Sequence, residues 1–367
     1  MASETDSGNV FDMAPEDPRR HSYAEDQGQQ QPDRLEVDEF DDWDGDSALG
    51  GMSHFSSTQS VSSSIYDHVE ENGRTYHRFK EGKYLLPNDE KEQTRLDFQH
   101  QLYTAVLNGK LYISPINHDR LRNVLDIGTG TGIWAVEFAL EHPGAHVTGI
   151  DLSPIQPSYA PPNVTFEICD AEDEWSFRQP FDFIHMRAMV TCFRNPQAVF
   201  AEAYRCLAPG GYLEIRDPIM PFQFLTPPAE EDGSGGSNGG AGCALREWCD
   251  LLMEAARRSG RDWGAAARYG QMLAGLGFAD VAERREAMAL SPWVKGRHNK
   301  HLSLLLQHDV LGMLEPVSMA LFTRVLGWDA PRVLDYLERV KKDVQDTKVH
   351  AYSEGVHIYA RKPYDPS

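Results

Sequence analysis

The sequence predicts an α/β fold built around a doubly wound β-sheet of seven mostly parallel strands, the last of them antiparallel. Two observations predict this fold. Between residues 121 and 217, short apolar segments typical of buried strands alternate with helical segments, and tight glycine turns separate them. Further on, mostly helical segments fill residues 244–343, and a β-rich segment at 349–363 supplies the last strand of the sheet.

Apolar patterning and turn residues give each predicted element its place. Residues 88–107 predict a helix, because apolar residues recur there at helical spacing after Asn88 or Asp89, either of which can cap the first turn. Strands are predicted at 123–128, 145–151, 163–169, 181–188, 211–217, 278–290 and 349–363. Further helices are predicted at 132–142, 195–207, 244–259 and 264–276, and over most of 298–343 with a break at GWDAP.

The chain divides into an acidic N-terminal tail, residues 1–63, and one folded domain, residues 64–363. The first 70 residues hold 17 acidic and 3 basic residues, and the tail is too polar to offset the entropy of folding, so we expect it to be disordered. Its scattered aromatic residues leave two interpretations open, a solvated tail or a docking segment for a protein partner. Within the domain we expect an N-terminal helical cap (64–120), a ligand-binding core (121–217), a helical lid (218–345) with a glycine-rich flexible insertion at 229–242, and a C-terminal strand (346–363).

Charge and composition exclude several classes of function. The net charge of −21 over 367 residues argues against direct binding to nucleic acid. No apolar stretch approaches the roughly 18 residues that predict a membrane-spanning helix, and the acidic N-terminus resembles neither a secretory signal nor a mitochondrial presequence. The five cysteines form no CxxC pair, which predicts neither a disulfide framework nor a metal site and favours a reducing compartment, the cytoplasm or the nucleus.

A glycine-rich loop follows the first predicted strand of the core, in the sequence VLDIGTGTGIW. Gly128, Gly130 and Gly132 permit a sharp turn and let a ligand approach the backbone closely, and the helix that follows offers unpaired N–H groups. A dinucleotide site prefers the spacing G-x-G-x-x-G, which admits a pyrophosphate. Here the third glycine comes one residue earlier and Asp126 overlooks the loop, which favours a cationic ligand without a phosphate, such as S-adenosylmethionine (SAM).

Acidic residues also end the next two predicted strands of the core. Asp151, in GIDLSP, can accept hydrogen bonds from both ribose hydroxyls of a nucleoside. Asp170, in ICDAEDEW, can accept the amino group of adenine while the N–H of Ala171 faces the ring. Asp170 alone would be an ordinary loop residue or helix cap. Three acids at three successive strand ends together predict a nucleoside site, because the carboxyl ends of parallel strands share one edge of the sheet.

The motifs LDIGTGTG, GIDLSP, CDAED and LAPGGYLEIRD resemble those of class I SAM-dependent methyltransferases, whose fold is Rossmann-like. More narrowly, RTYHRFKEGKYLLPNDEKEQTRLDFQHQ, FDFIHMR and VLGWDAPRVLDYLERVKKDVQDTKVHAY resemble the LaeA-like methyltransferases of filamentous fungi, over about residues 65–363. The resemblance implies SAM as the cofactor and a binding site that contains Asp126, Gly128, Thr129, Gly130, Gly132, Asp151, Leu152, Asp170 and Ala171. The family's N-terminal motif adds Tyr84 and, less specifically, Asn88, Asp89, Glu90 and Arg95, which a helix cap and ionic pairs would also explain.

The resemblance implies two functions, and the sequence leaves both open. The first is a methyltransferase that acts on a small molecule in fungal secondary metabolism. The alternative is a nuclear regulator of secondary metabolism that acts through protein partners of the velvet-domain type. The helical lid is large enough to form an acceptor pocket, which favours a methyltransferase that acts on a small molecule. Its candidate lining residues, which by their spacing more often form core, are Trp248, Trp263, Trp293, Met313 and Met319.

The same reasoning gives one candidate catalytic residue. Methyl transfer from a sulfonium needs positioning and desolvation, and it needs a base only when the acceptor must lose a proton. His185, which lies with Arg187 at the end of the fourth predicted strand of the core, is the candidate base, and a structural histidine is the alternative. His77 and His100 are weaker candidates for this role.

Overall fold

A seven-stranded β-sheet forms the centre of the structure, a computed structural model that describes residues 35–36, 67–225 and 242–364. The strands are β1 (His68–Glu71), β2 (Arg74–His77), β3 (Asn123–Ile127), β4 (His146–Asp151), β5 (Val164–Ile168), β6 (Phe181–Arg187), β7 (Leu207–Phe224), β8 (Ala279–Ala289) and β9 (Ala351–Arg361). The helices are α1 (Glu90–Val106), α2 (Ile133–Glu141), α3 (Pro196–Cys206), α4 (Ala244–Arg258), α5 (Tyr269–Gly275), α6 (Arg297–Arg324) and α7 (Ala330–Gln345), with a 3₁₀ helix at Ala265–Arg268.

The strand order of this sheet is β5-β4-β3-β6-β7-β9-β8. Strands β3 to β7 run parallel, β9 runs antiparallel to β7, and β8 runs antiparallel to β9. The predicted fold class is therefore confirmed, including the antiparallel last strand. The chain order reverses between β3 and β6, which is the point at which open α/β sheets bind ligands beyond the carboxyl ends of their strands.

The inner parallel strands are covered on both faces, which explains why their sequences are almost continuously apolar. Val124, Leu125 and Ile127 of β3 have no solvent exposure, as expected for a parallel strand with helices on both sides. Helix α2 packs against β4 and β5. It begins after Gly132, whose φ of +82° turns the chain from the loop into the helix.

A second layer consists of α4, α6 and α7, which pack on one another and bury a cluster separate from the core around β3 and β6. In α4, buried apolar residues recur at helical spacing, as at Leu245, Trp248 and Leu252. Helix α1 packs against α6 and extends this layer. Asp89 caps α1 by accepting a hydrogen bond from the N–H of Glu92, so of the two predicted capping residues the structure selects Asp89.

The largest difference from the predicted elements is the length of β7, which continues well past the predicted end at residue 217. Two prolines, Pro218 and Pro221, argue against a strand there, because proline lacks the N–H that a ladder needs. Neighbouring β6 ends at Arg187, so the prolines leave no donor missing on that side. On the other side β9 continues to pair with β7 as far as Phe224.

The predicted N-terminal tail lies mostly outside the described residues, and so does the predicted insertion at 229–242 except for Gly242. Of the predicted tail, Leu35 and Glu36 are described. Leu35 packs against Trp293 and Val294, and the backbone oxygen of Glu36 accepts a hydrogen bond of 2.9 Å from Lys295. The hairpin of β1 and β2 was not assigned from the sequence. Within 35–36, 67–225 and 242–364, no helix is both long and apolar enough to cross a membrane.

Candidate active site

A cavity of about 180 Å³ lies beyond the carboxyl ends of β3, β4, β5 and β6. We call it the strand-end cavity. Of the predicted cofactor residues, all except Gly132 line it: Tyr84, Asp126, Gly128, Thr129, Gly130, Asp151, Leu152, Asp170 and Ala171. The candidate base His185 lines it as well. The structure therefore brings together residues that are distant in the sequence, most of them at or just after the carboxyl ends of strands.

The glycine loop has the conformation that its sequence requires. Gly128 and Gly132 have φ values of +68° and +82°, a region that residues with a Cβ rarely adopt. A Cβ at Gly128 would lie 2.2 Å from Sδ of Met189, and one at Gly132 would lie 2.5 Å from Cζ of Phe166. The loop therefore packs tightly against its surroundings at Gly128 and Gly132.

Asp151 holds the loop through its carboxylate. One oxygen accepts the N–H of Gly130 at 2.9 Å, and the other accepts the N–H of Ser153 at 2.8 Å. Each oxygen keeps a further lone pair, because a carboxylate offers about four acceptor positions. Burial raises the pKa of Asp151 to about 6, although these backbone N–H groups favour the ionised form. The N–H of Leu152 contributes to the same effect, and the carboxylate keeps acceptor capacity for a ligand.

Asp170 has ionic partners that sequence reasoning did not find. Lys80 lies 2.7 Å from one of its oxygens, and Lys83 contacts the same oxygen. The other oxygen accepts the N–H of Glu172 at 2.9 Å. Burial acts to raise the pKa of Asp170, but the two ammonium groups outweigh it and hold this pKa below its ordinary value. The segment before α1 therefore covers this end of the cavity with two positive charges.

Asp126 and His185 form a buried pair beneath the glycine loop. Nδ1 of His185 lies 2.7 Å from one oxygen of Asp126, and the hydroxyl of Thr129 donates to the other at 2.6 Å. The imidazole stacks on the indole of Trp134, with ring centroids 3.8 Å apart and planes within 6°. Burial lowers the pKa of His185 below its ordinary value despite the adjacent carboxylate. A neutral ring that donates Nδ1–H to Asp126 leaves Nε2 as its proton acceptor.

Helix α1 closes one side of the strand-end cavity. The hydroxyl of Thr131 in the glycine loop donates to Asp97 at 2.6 Å. Arg95 is buried between Glu92, 2.7 Å away on the same helix, and Asp309, 2.9 Å away on α6. Asp89 pairs with Arg74 of β2. Of the family's N-terminal motif, Tyr84 and Arg95 thus reach the cavity, whereas Asp89 caps α1 and anchors the hairpin.

A second cavity, of about 90 Å³, adjoins the first beneath α1, α4 and α6. We call it the helix-lined cavity. The residues that line both cavities are Gln99, Tyr103, Thr191, Pro218, Met313 and Val317. Its remaining walls are mostly apolar and include Met220, Phe222, Leu252, Trp263, Met288, Leu306 and Val310.

Two of the five predicted acceptor-lining residues, Trp263 and Met313, line the helix-lined cavity. The other three do not. Trp248 is fully buried in the helical core and donates its indole N–H to Ser318 at 2.8 Å, and Met319 is buried in the same core. Trp293 packs beside Tyr352 in a separate small cluster. Their helical spacing reflected core packing, which is the commoner use of such residues.

The charged residues of the helix-lined cavity were not predicted either, and each has a partner within the protein. Arg216 pairs with Glu286 and donates to the backbone oxygen of Tyr103 at 2.9 Å. Asp309 accepts hydrogen bonds from Arg95 and Gln99. Asp217 accepts the N–H of Met189 and the hydroxyl of Tyr269, and burial raises the pKa of Asp217 to about 7. These partners come from distant elements, and no local pattern in the sequence signals them.

The fold and the site define the class of protein. A loop with three glycines, an acid with acceptor capacity at one strand end and a second acid at the next strand end fit a nucleoside with a cationic tail, which is what SAM is. The methyltransferase domain family matches residues 98–281 of this chain. The chain belongs to this family and is a SAM-dependent methyltransferase.

Curated relatives agree with this assignment over most of the chain. The methyltransferase pytC of Aspergillus terreus is 34% identical over 91% of this chain and 97% of its own length. The secondary metabolism regulator laeA of Aspergillus niger is 34% identical over 92% of this chain and 87% of its own. The protein-methionine methyltransferase laeA of Emericella nidulans is 34% identical over 80% and 76%. The predicted resemblance to LaeA-like methyltransferases is therefore confirmed.

Proposed function

We propose that this enzyme transfers the methyl group of SAM to a small molecule, as part of secondary metabolism. One observation carries the proposal: a mostly apolar cavity under the helices adjoins the strand-end cavity and shares six residues with it. Ligand sites of enzymes are typically concave and apolar with few polar groups. The strand-end cavity would hold the methyl donor and the helix-lined cavity the acceptor.

The donor would be held by the residues that the sequence motifs identify. We assign the ribose hydroxyls to Asp151, whose two oxygens each have a lone pair left. Asp170 and the N–H of Ala171 would contact adenine, and Tyr84 and Leu152 would cover the nucleoside. The backbone of the loop from Gly128 to Gly132 would contact the methionine part, with Thr129 fixing the position of Asp126.

Positioning and exclusion of water are the protein's main contributions to this reaction. When bound, SAM supplies a methyl group on a sulfonium, whose thioether leaving group needs no acid. Helix α1, held to α6 by Arg95 and Asp309, keeps water from the junction of the two cavities. His185 remains the candidate base through Nε2. Its pairing with Asp126 and its stacking on Trp134 equally suit a supporting role beneath the loop.

The test uses a substitution that fills only the acceptor cavity. Met288 lines the helix-lined cavity but not the strand-end cavity. Met288→Trp should abolish methylation of small-molecule extracts from the source organism, followed by transfer of labelled methyl. Its affinity for S-adenosylhomocysteine (SAH) should stay within about twofold of wild type, because the donor contacts are untouched. Leu140→Trp, at a residue on the surface, is the control. Full turnover by Met288→Trp would refute the assignment of the acceptor cavity.

The alternative acceptor is a protein. The names of the laeA relatives favour it, one being a regulator and one a protein-methionine methyltransferase. In that case labelled methyl should enter the protein fraction of an extract rather than its small molecules, and Met288→Trp should have little effect. The acidic tail at 1–63 would then be the candidate docking segment, and its removal should abolish the labelling.

The place of this activity would be the cytoplasm or the nucleus. All five cysteines are described, and all are free thiols, which suits a reducing compartment. Fractionation of the source cells with an antibody against the chain would test this assignment. Recovery of the protein from the secreted fraction would contradict it.

A further inference from the structure

One cationic side chain of the active site lacks an acidic partner. Arg187 ends β6 and lines the strand-end cavity. Its guanidinium donates to Nδ1 of His100 at 3.0 Å and lies 4.9 Å from the ring centroid of Tyr103. Among residues 67–225 and 242–364, no carboxylate lies within ion-pair distance of it. Burial lowers the pKa of Arg187 to about 10, so the group is desolvated yet still charged at neutral pH.

The other cations around the two cavities differ from Arg187 in this respect. Arg95 has Glu92 and Asp309, and Arg216 has Glu286. Lys83 has Asp170 and Glu172. A buried charge without a partner is costly, and proteins retain such a group where a ligand completes it. Arg187 reaches a carboxylate only through His100, whose Nε2 lies 2.9 Å from Glu137. Its guanidinium is therefore the cation of this site that has no direct acidic partner within the described residues.

The position of Arg187 identifies which ligand brings that charge. Arg187 stacks near Tyr103, and Tyr103 lines both cavities. The carboxylate of the donor has another place, since α2 begins directly after the glycine loop and the start of a helix favours anions. The helix-lined cavity itself offers a ligand apolar walls and charges that are already paired. An acceptor seated there would meet one unpaired cation, at the end that faces the donor.

We propose that Arg187 selects acceptors with an acidic hydroxyl, a carboxylic acid, enol or phenol on an apolar ring system, and binds the ionised oxygen that receives the methyl group. This inference rests on the proposed function. The ionised oxygen forms the new O–C bond while the C–S bond of the donor breaks, and the electron pair of that bond stays on sulfur. The acceptor releases its hydroxyl proton to solvent water as it binds to Arg187. One anion and one sulfonium then become two neutral groups, so the transfer itself needs no further reactant.

The test compares two probes of equal shape on the full chain saturated with SAH. 2-Naphthoate carries the anion, and 2-naphthamide is its neutral counterpart. Isothermal titration should give at least tenfold tighter binding of 2-naphthoate, the size of effect expected for a charge-assisted hydrogen bond. Arg187→Met should bring the two affinities together, and Arg187→Lys should keep part of the preference. Arg257→Met, at an exposed arginine of α4, should change neither affinity. Thermal unfolding of each variant verifies that it is folded.

Three results would overturn the proposal, and each has a different consequence for the acceptor cavity and for the donor. Equal affinity of wild type for the two probes would refute the role of Arg187 and leave the acceptor cavity standing. If neither probe binds while SAH does, the acceptor cavity of the proposed function is wrong as well. The third result concerns the donor. If Arg187→Met weakens SAH tenfold or more but leaves 5′-methylthioadenosine unchanged, Arg187 binds the carboxylate of the donor instead.

Discussion

The two cavities of the active site are built in opposite ways. The acids and glycines of the strand-end cavity belong to short local motifs at the carboxyl ends of β3, β4 and β5, and α1 closes one side of the cavity. The helix-lined cavity is made by α1, α4, α6, β7 and β8, each of which contributes one or a few side chains. The first therefore depends on backbone geometry at the sheet edge. The second depends on how separate elements pack.

The charged residues of the two cavities also differ, in whether protein partners already satisfy them. In the strand-end cavity, Asp151 and Arg187 retain capacity for a ligand. In the helix-lined cavity, Arg216, Asp217 and Asp309 are satisfied by protein partners. A ligand of the first cavity would thus be recognised through polar contacts, and a ligand of the second through shape and apolar area. Substitutions in the strand-end cavity test this contrast.

The largest effect is expected at the glycine loop. Gly132→Ala forces a Cβ into the left-handed region at a cost of about 1–3 kcal/mol, and displacement of the Phe166 ring costs roughly 1–3 kcal/mol more. We expect SAH binding to become undetectable by titration and the melting temperature to fall. Gly144→Ala is the matched control, because a Cβ there meets nothing within 4 Å. Normal SAH binding by Gly132→Ala would show that the loop tolerates a different conformation.

The next effect concerns Asp151. Asp151→Ala removes the acceptor for two ribose hydroxyls. Since each hydrogen bond to a charged group is worth on the order of 1.5–3 kcal/mol, loss of both should lower SAH affinity by roughly a hundredfold or more. Asp151→Asn should be milder, because the amide oxygen still accepts. Asp182 serves as control, since its carboxylate also accepts two backbone N–H groups but at the start of β6. Asp182→Ala should lower stability and leave SAH affinity intact. If Asp182→Ala weakened SAH binding and Asp151→Ala did not, the nucleoside would bind elsewhere.

The same carboxylate predicts a pH dependence. Its pKa of about 6 lies above the ordinary 3.8, so the carboxylate is protonated below about pH 6 and loses acceptor capacity. Affinity for SAH should fall about tenfold from pH 7 to pH 5, whereas Asp151→Asn should lack this dependence. The contribution of Asp151 to the stability of the fold has the opposite pH dependence. Between about pH 6 and pH 4 the folded state holds a proton that the unfolded chain releases, so this group favours folding as the pH falls. An SAH affinity that stays constant from pH 7 to pH 5 would contradict the assignment.

The smallest effect is expected from the lysines over Asp170. Lys80→Met leaves Lys83 as the main cation at that carboxylate and frees an acceptor position for adenine. Because the Lys80 side chain is partly exposed, its ion pair contributes only about 0–1 kcal/mol. SAH affinity should rise by at most about threefold, most clearly at low salt. Lys91→Met, at an exposed lysine paired with Glu315, should leave affinity unchanged. A tenfold loss in Lys80→Met would mean that Lys80 itself contacts the donor.

Sequence reasoning located the elements of the sheet closely and missed what depends on distant pairing. Strand β3 and helix α2 end within a residue or two of their predicted bounds, since apolar runs and glycine turns are local signals. The extension of β7 past Pro218 and Pro221 was missed, because it depends on β9 and on where β6 ends. The predicted acceptor-lining residues were likewise only partly correct, because two of the five line the helix-lined cavity. Helical spacing alone could not distinguish Trp263, at a cavity, from Trp248, in the core.

The sequence by itself determined the family, the fold and most of the predicted residues that line the strand-end cavity. Asp126, Asp151 and Asp170 follow successive strands, and parallel strands bring their carboxyl ends to one edge whatever else the chain does. Tertiary structure alone decided which partners the charged residues have. Lys80 and Lys83 pair with Asp170, and His185 pairs with Asp126. Arg187 contacts His100 and has no direct acidic partner among the described residues. It also decided that a mostly apolar cavity adjoins the strand-end cavity. Such facts depend on contacts between segments far apart in the chain, and a cavity or a missing partner leaves no local pattern.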